Sequence, residues 1–160
     1  MTIVTIRNAH IEDSAIIHKF IVDLAIYEKA EHEVLAKVAD IEQSIFGPDS
    51  TVNALICEQN NTPIGFAVYF YNYSTWQGKN GLYLEDLYVA PDYRGIGAGK
   101  ELLKHLAKIA VSKNCGRFEW NVLDWNTPAI EFYESIGAKA KSEWIGYQLV
   151  DDALLKFSQS

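Results

Sequence analysis

Seven consecutive residues, Arg94-Gly95-Ile96-Gly97-Ala98-Gly99-Lys100, constrain this chain more than any others. They stand between an apolar, strand-like run at 82–89 and a stretch at 100–113 with Leu102, Leu103, Leu106, Ile109 and Ala110 at helical spacing. A strand, a glycine turn and an amphipathic helix in that order call for a helix packed on a sheet. Glycines in such a turn permit positive φ and a close approach of backbone to a ligand. The first amides of the helix have no intrahelical partners and lie at the positive end of its dipole. The turn therefore suits a phosphate or pyrophosphate.

Three phosphate-binding patterns compete with a purely structural turn. A P-loop needs four residues between its glycines and Ser or Thr after the lysine; here Gly95 and Gly99 bracket three, and Glu101 follows Lys100. A dinucleotide fingerprint needs G-x-G-x-x-G after the first strand. Gly95, Gly97 and Gly99 have the wrong spacing and come after several strands. The pattern Arg-x-x-Gly-x-Gly, with Arg94, Gly97 and Gly99, fits without adjustment.

The rest of the chain supplies the sheet. Residues 3–7 alternate like a first strand, and 13–29 carry Ile16, Ile17, Phe20, Ile21, Leu24 and Ala25 at helical spacing. A second helix is expected over 36–46, stopped at Gly47-Pro48. Runs at 53–58 and 64–73 predict a hairpin with a loop of moderate length through Asn60-Asn61-Thr62-Pro63. The strand at 82–89 is entered through Gly78–Gly81, and the turn at 91–99 leads to a helix at 100–113. A strand at 118–123 comes next. It precedes a helix at 127–136 with Asn126 as N-cap and Gly137 as its stop, and a last strand at 144–150. The expected order is β-α-α-β-β-β-α-β-α-β: one α/β domain with a mixed sheet flanked by helices.

Charge and cysteine content exclude several classes. The net charge of −7 argues against a nucleic-acid partner and favours a cationic substrate through steering. Cys57 and Cys115 form no CxxC pair, and His10, His18, His32 and His105 have no ligand spacing, so no metal is expected. No leader-like N-terminus or membrane-length apolar run appears, which makes a cytoplasmic location without a membrane partner the expectation.

Two longer stretches carry a resemblance. Leu84-Glu85-Asp86-Leu87-Tyr88-Val89 with the turn from Pro91 to Gly99 resembles the acetyl-CoA site of GCN5-related N-acetyltransferases. The stretch from Asn126 through Ala129 and Tyr133 to Ala138 is similar to that superfamily's second motif. Leu24-Ala25-Ile26-Tyr27-Glu28, Tyr83-Leu84-Glu85-Asp86 and Asp124-Trp125-Asn126 resemble the diamine (spermidine/spermine) and thialysine group. The resemblance implies acetyl-CoA as co-substrate, held by Leu87, Tyr88, Val89, Arg94, Gly95, Ile96, Gly97, Ala98, Gly99, Lys100, Asn126, Ala129 and Tyr133. It also implies a homodimer.

Acetyl transfer from a thioester to an amine needs amine deprotonation, carbonyl polarisation, thiolate protonation and alignment. The resemblance places the polarising donor among the main-chain N–H groups of Leu87 to Val89. It makes Tyr133 the general acid; a phenol, with a pKa of about 10, can donate to a departing thiolate. Glu85 is the candidate base, acting through water, or the anion that holds the ammonium. Burial or the neighbouring Asp86 would raise one carboxyl of the pair. Strand alternation sets Glu85 and Asp86 on opposite faces unless a bulge intervenes. Tyr27, Glu28, Trp76, Glu119, Trp120 and Asn121 are the further substrate-binding candidates. Ser74-Thr75-Trp76 stands where polyamine enzymes of the group have Asp-Pro-Trp, which turns the expectation toward a lysine- or thialysine-like amine or a short diamine. Acetylation of a protein or peptide amine, and acetyl-CoA binding without turnover, are the alternatives.

Overall fold

The computed structural model describes residues 3–160. The chain divides into two compact units, Met1–Asn121 and Val122–Ser160.

The first unit is a five-stranded sheet in the order β1-β2-β3-β4-β5. Its strands are β1 (Thr5–Asn8), β2 (Asn53–Gln59), β3 (Thr62–Ser74), β4 (Lys79–Val89) and β5 (Phe118–Trp120). β1 to β4 pair antiparallel, and β5 joins β4 in parallel. This is the expected mixed sheet. Helices α1 (Ser14–Tyr27) and α2 (Val38–Phe46) cover one face. Ile17, Phe20 and Ile41 meet Ile56, Phe66, Val68 and Tyr88 there in one core cluster. Helix α3 (Ala98–Ser112) covers the other face through Leu102, Leu103 and Leu106, with Leu55, Cys57 and Ala67 fully buried beneath.

Several boundaries differ from expectation for local reasons. The β2–β3 loop is two residues long, because Asn60 (φ 51°) and Asn61 (φ 64°) both adopt the left-handed conformation of a tight hairpin turn. Pro63 lies inside β3 opposite Glu58, where the register shifts and a missing N–H is tolerated. α1 stops at Tyr27, with Lys29 at φ 60° in the αL position. Its end is closed by Lys29 N–H to the Ile26 carbonyl at 3.1 Å and Ala30 N–H to the Ala25 carbonyl at 2.8 Å. β4 begins at Lys79, inside the expected entry loop. At the β1 edge, the Arg7 guanidinium bonds Asp13 at 2.8 Å and lies 3.2 Å from Glu58.

The second unit holds α4 (Thr127–Ser135) and α5 (Asp151–Ser158). Gly137 (φ 97°) ends α4 as expected: its N–H donates to the Glu134 carbonyl at 3.0 Å, and Ala138 N–H to Tyr133 at 3.1 Å. Asn126 occupies the N-cap position, but its side chain makes no capping bond. The expected strand at 144–150 is not a strand; these residues join no sheet. Alternation of apolar side chains is necessary for a half-buried strand, but only a neighbouring edge can complete one. α5 was not anticipated; Asp151 and Asp152 in its first turn and Lys156 in its last complement its dipole.

Candidate active site

The centre of the first unit is an irregularity in β4. Asp86 pairs with Val68, yet Leu84 pairs with Tyr69, so Glu85 is an extra residue in the ladder. Below the bulge, Tyr83 packs on Phe70 at 5.1 Å, which places it on the α1 side of the sheet, and Glu85 follows it by alternation. Above the bulge, Asp86 shares the α1 side with Val68 and Tyr88. The two carboxylates therefore face the same way, because of the bulge the sequence left open.

Glu28, at the C-terminal end of α1, adds a third carboxylate to this side of the sheet. Burial, then the charge of Glu85, then that of Glu28 push the Asp86 carboxyl up to about 6. Burial alone raises Glu28. A positive charge placed beside such a cluster would relieve its repulsion. Burial first, and this repulsion second, act on the Asp86 carboxyl.

Beside the carboxylates the sheet opens. β5 pairs with β4 only at Leu82, Tyr83 and Leu84. Beyond Leu84, β4 has a strand neighbour on the β3 side alone among the described residues. Ala90 N–H donates to the Ile64 carbonyl at 2.8 Å. By alternation, Tyr88 also turns its main chain toward β3, while Leu87 and Val89 turn theirs toward the open side. The Val89 carbonyl there accepts from Arg94 Nε at 3.0 Å. Gly65 keeps β3 close to this stretch, since a Cβ would meet the Tyr88 carbonyl oxygen at 2.5 Å.

The glycine turn follows at once. Pro91–Tyr93 form one 3-10 turn, and α3 starts at Ala98, two residues earlier than its apolar pattern indicates. Ala98, Gly99 and Lys100 are thus first-turn helix residues rather than loop. Gly95 (φ 83°) and Gly97 (φ 84°) need the left-handed region. Gly97 is the N-cap, and no side chain caps the helix. Glu101 N–H makes the first intrahelical bond, to the Gly97 carbonyl. A Cβ at Gly99 would meet only the Leu87 and Val89 side chains, both at a comfortable 3.9 Å. The protein's own packing does not require that glycine, and a helix loses about 1 kcal/mol by carrying it in place of alanine. An uncapped helix start with bare backbone fits a pyrophosphate. The Arg94 side chain has contacts within the protein. Besides Val89, its guanidinium lies over the rings of Tyr27 at 5.4 Å and Tyr88 at 5.6 Å, clamping the turn to the end of β4. No sequence signal indicates these contacts, because Tyr27 is far from Arg94 along the chain.

The remaining candidates divide. Trp76 stands at the tip of the β3–β4 hairpin, 89 % exposed. Glu119 accepts from Asn72 at 3.3 Å and pairs with Arg117 at 2.8 Å, so it braces the β3–β4–β5 region. Trp120 closes β5, its ring 4.9 Å from Phe118, and Asn121 lies just past the strand, which is shorter than expected. Asn126, Ala129 and Tyr133 belong to the second unit. Tyr133 is partly buried on α4, its ring 5.9 Å from that of Phe132.

The sequence profile described as Acetyltransferase (GNAT) family matches residues 18–138. The chain belongs to the GNAT acetyltransferase family. It is an acyltransferase of a family whose co-substrate is acetyl-CoA. This GNAT chain is 34 % identical to a thialysine N-epsilon-acetyltransferase from Mus musculus over 93 % of its own length and 94 % of the relative's. It is 39 % identical to an L-ornithine N5-acetyltransferase from Arabidopsis thaliana over 77 % of its length and 51 % of that protein's. An integron cassette protein from V. cholerae superimposes with a TM-score of 0.83 at 28 % identity, covering 100 % of this chain and 99 % of that one. Among the described residues no group of three or more His, Cys, Asp or Glu could hold a metal, and no helix is long and apolar enough to cross a membrane.

Proposed function

We propose that this GNAT enzyme acetylates a primary amine of a small cationic molecule, a lysine-, thialysine- or ornithine-like amino acid or a short diamine, using acetyl-CoA. The observation that carries the reading is the β4 bulge, which turns Glu85 and Asp86 to the side of Glu28 next to the open end of the sheet. The named substrates of two relatives support it, since thialysine and ornithine both present a terminal ammonium.

In this reading Gly97, Ala98, Gly99 and Lys100 offer main-chain N–H groups to the pyrophosphate of acetyl-CoA, which supplies the acetyl thioester. The Leu87 N–H polarises the thioester carbonyl. Glu28 and Glu85 hold the ammonium. Asp86 takes one proton from the ammonium, which frees the lone pair that attacks the acetyl carbon. The second proton leaves the nitrogen as the C–N bond forms and the C–S bond breaks, and returns through solvent to replace the one Tyr133 gives up. Raising an aspartate from its ordinary 3.8 to about 6 removes about 3 kcal/mol from an unfavourable transfer out of an ammonium of pKa about 10.4. The resemblance of the 126–138 stretch to the family's second motif makes the hydroxyl of Tyr133 the group that gives a proton to the departing sulfur.

The test is CoA release on incubation with acetyl-CoA and thialysine, lysine, ornithine, putrescine, spermidine or a lysine peptide. Turnover of the amino acids or putrescine is expected. Silence on every small amine, or a preference for the peptide, would overturn the substrate class.

A further inference from the structure

The acidic face of β4 does not end at the bulge. Tyr83 stands opposite Glu119 in the parallel β4–β5 pair, so Glu119 shares the α1 side of the sheet with Tyr83 and Glu85. Burial first, then the charges of Glu85 and Glu119, raise the Tyr83 hydroxyl, which lies between the two carboxylates. Strands about 4.8 Å apart, with a rise of about 3.3 Å per residue, set the Cα atoms of Glu85 and Glu119 about 8 Å apart.

Glu119 differs from Glu28, Glu85 and Asp86 because a cation accompanies it. Arg117 Nε lies 2.8 Å from Glu119 Oε1, and Arg117 Nη2 donates to the Tyr73 carbonyl at 3.2 Å. Asn72 Nδ2 donates to the same Glu119 oxygen at 3.3 Å. Gly81 lets these side chains lie on the sheet, since a Cβ there would collide with Asn72 Oδ1 and come within 2.9 Å of Arg117 Cγ. The network is not closed on itself. Arg117 Nε sits off the hydrogen-bond line to Glu119, and Asn72 Oδ1 has no partner among the described residues. Buried polar atoms short of a partner call for an explanation, and here one is a donor and the other an acceptor. The Arg117 and Glu119 side chains are 34 % and 20 % exposed, so their outer atoms stay open to a ligand.

We propose that Arg117 and Glu119 are the specificity-determining pair of this site and read the head group of an α-amino acid. Glu119 takes its ammonium and Arg117 its carboxylate, while the reacting amine sits at Glu28, Glu85 and Asp86. The proposal rests on the small-amine reading above and narrows it to amino acids. The four-atom stem of lysine or thialysine bridges the two stations once the carboxylate side chains reach inward. A zwitterionic head group matches a pair of opposite charges. A diamine brings a second ammonium that satisfies Glu119 but faces the Arg117 guanidinium, which repels it. A lysine inside a peptide has neither head-group charge.

Steady-state kinetics with acetyl-CoA and four amines of one stem length test this. They are lysine, lysinamide without the carboxylate, Nα-acetyl-lysine without the α-ammonium, and cadaverine, which is lysine less its carboxylate. In the unaltered protein kcat/KM for lysine should exceed each of the others by about 10–100-fold, as the loss of one charged hydrogen-bonded contact gives. Arg117→Gln should bring lysine down to the level of lysinamide and leave cadaverine unchanged or improved. Glu119→Gln should bring lysine down to the level of Nα-acetyl-lysine. Ornithine against putrescine repeats the comparison with a shorter stem. Diamines or lysinamide turned over as well as the amino acids would overturn the head-group assignment and leave the small-amine reading standing. So would variants that slow all four amines alike, as mere loss of a brace between strands would. Silence on every small amine would overturn both.

Discussion

Asp86→Asn should make the protein more stable at neutral pH while disabling it. The native carboxyl is raised from 3.8 to about 6 by burial, Glu85 and Glu28. Between those values the folded chain holds a proton that the unfolded chain has released, so the folded state loses ground as pH rises through the interval. Above pH 6 the charged Asp86 opposes folding by up to about 3 kcal/mol, which is the shift at about 1.4 kcal/mol per unit. Asparagine keeps the shape and removes the charge. The expected gain in urea-unfolding free energy is about 1–3 kcal/mol at pH 7.5, falling to about a third of that at pH 4.5 and vanishing near pH 3, where both states are protonated. With the amine, kcat/KM should fall by about 10²–10⁴-fold if the carboxylate accepts the proton. A variant no more stable than wild type at pH 7.5, or a gain independent of pH, would refute the repulsion argument. Unchanged kcat/KM would refute the assignment of the base.

Gly99→Ala should leave stability unchanged or raise it by about 1 kcal/mol, because the new methyl meets nothing closer than 3.9 Å, yet weaken acetyl-CoA binding at least about tenfold by calorimetry. Gly97→Ala should instead cost about 1–2 kcal/mol in thermal or urea unfolding, since its φ of 84° lies in the left-handed region. Tyr133→Phe should lower kcat by about 10²-fold or more with the amine KM little changed, and steady-state kinetics with unaltered kcat would remove the general acid. Arg7→Ala should destabilise by about 1–2 kcal/mol at pH 7 in urea titrations, through its partly buried bonds to Asp13 and Glu58. Arg7 holds the Asp13 carboxyl below its ordinary 3.8, so that stability is present above pH 4. It is lost as pH falls through the lowered native value, and the cost of the substitution should shrink there.

Much of the machinery was legible because it depends on residues close in sequence. Gly97 and the amphipathic run behind it announce a helix start whatever surrounds them, and Gly137 announces the end of α4 in the same way. The helix begins at Ala98, ahead of its apolar pattern, because first-turn residues need not be apolar and a glycine at 99 has a loop's composition. The hairpin turn is only Asn60-Asn61, shorter than the polar stretch 60–63, because strand pairing, not polarity, decides where β3 begins.

By itself the sequence determined the mixed α/β architecture, the glycine turn after β4 and the acidic pair at Glu85 and Asp86, all fixed by local periodicity and backbone freedom. Tertiary structure decided what those residues do. A one-residue register shift against β3 turned two adjacent carboxylates to one face. The end of α1 delivered Glu28 to them, and Arg94 was drawn onto Tyr27, Tyr88 and the Val89 carbonyl. The same dependence explains 144–150, where an alternating pattern shows a strand's side chains but cannot provide the edge that would make it one. Pairing across a sheet joins residues far apart in sequence, and only the folded chain sets their register.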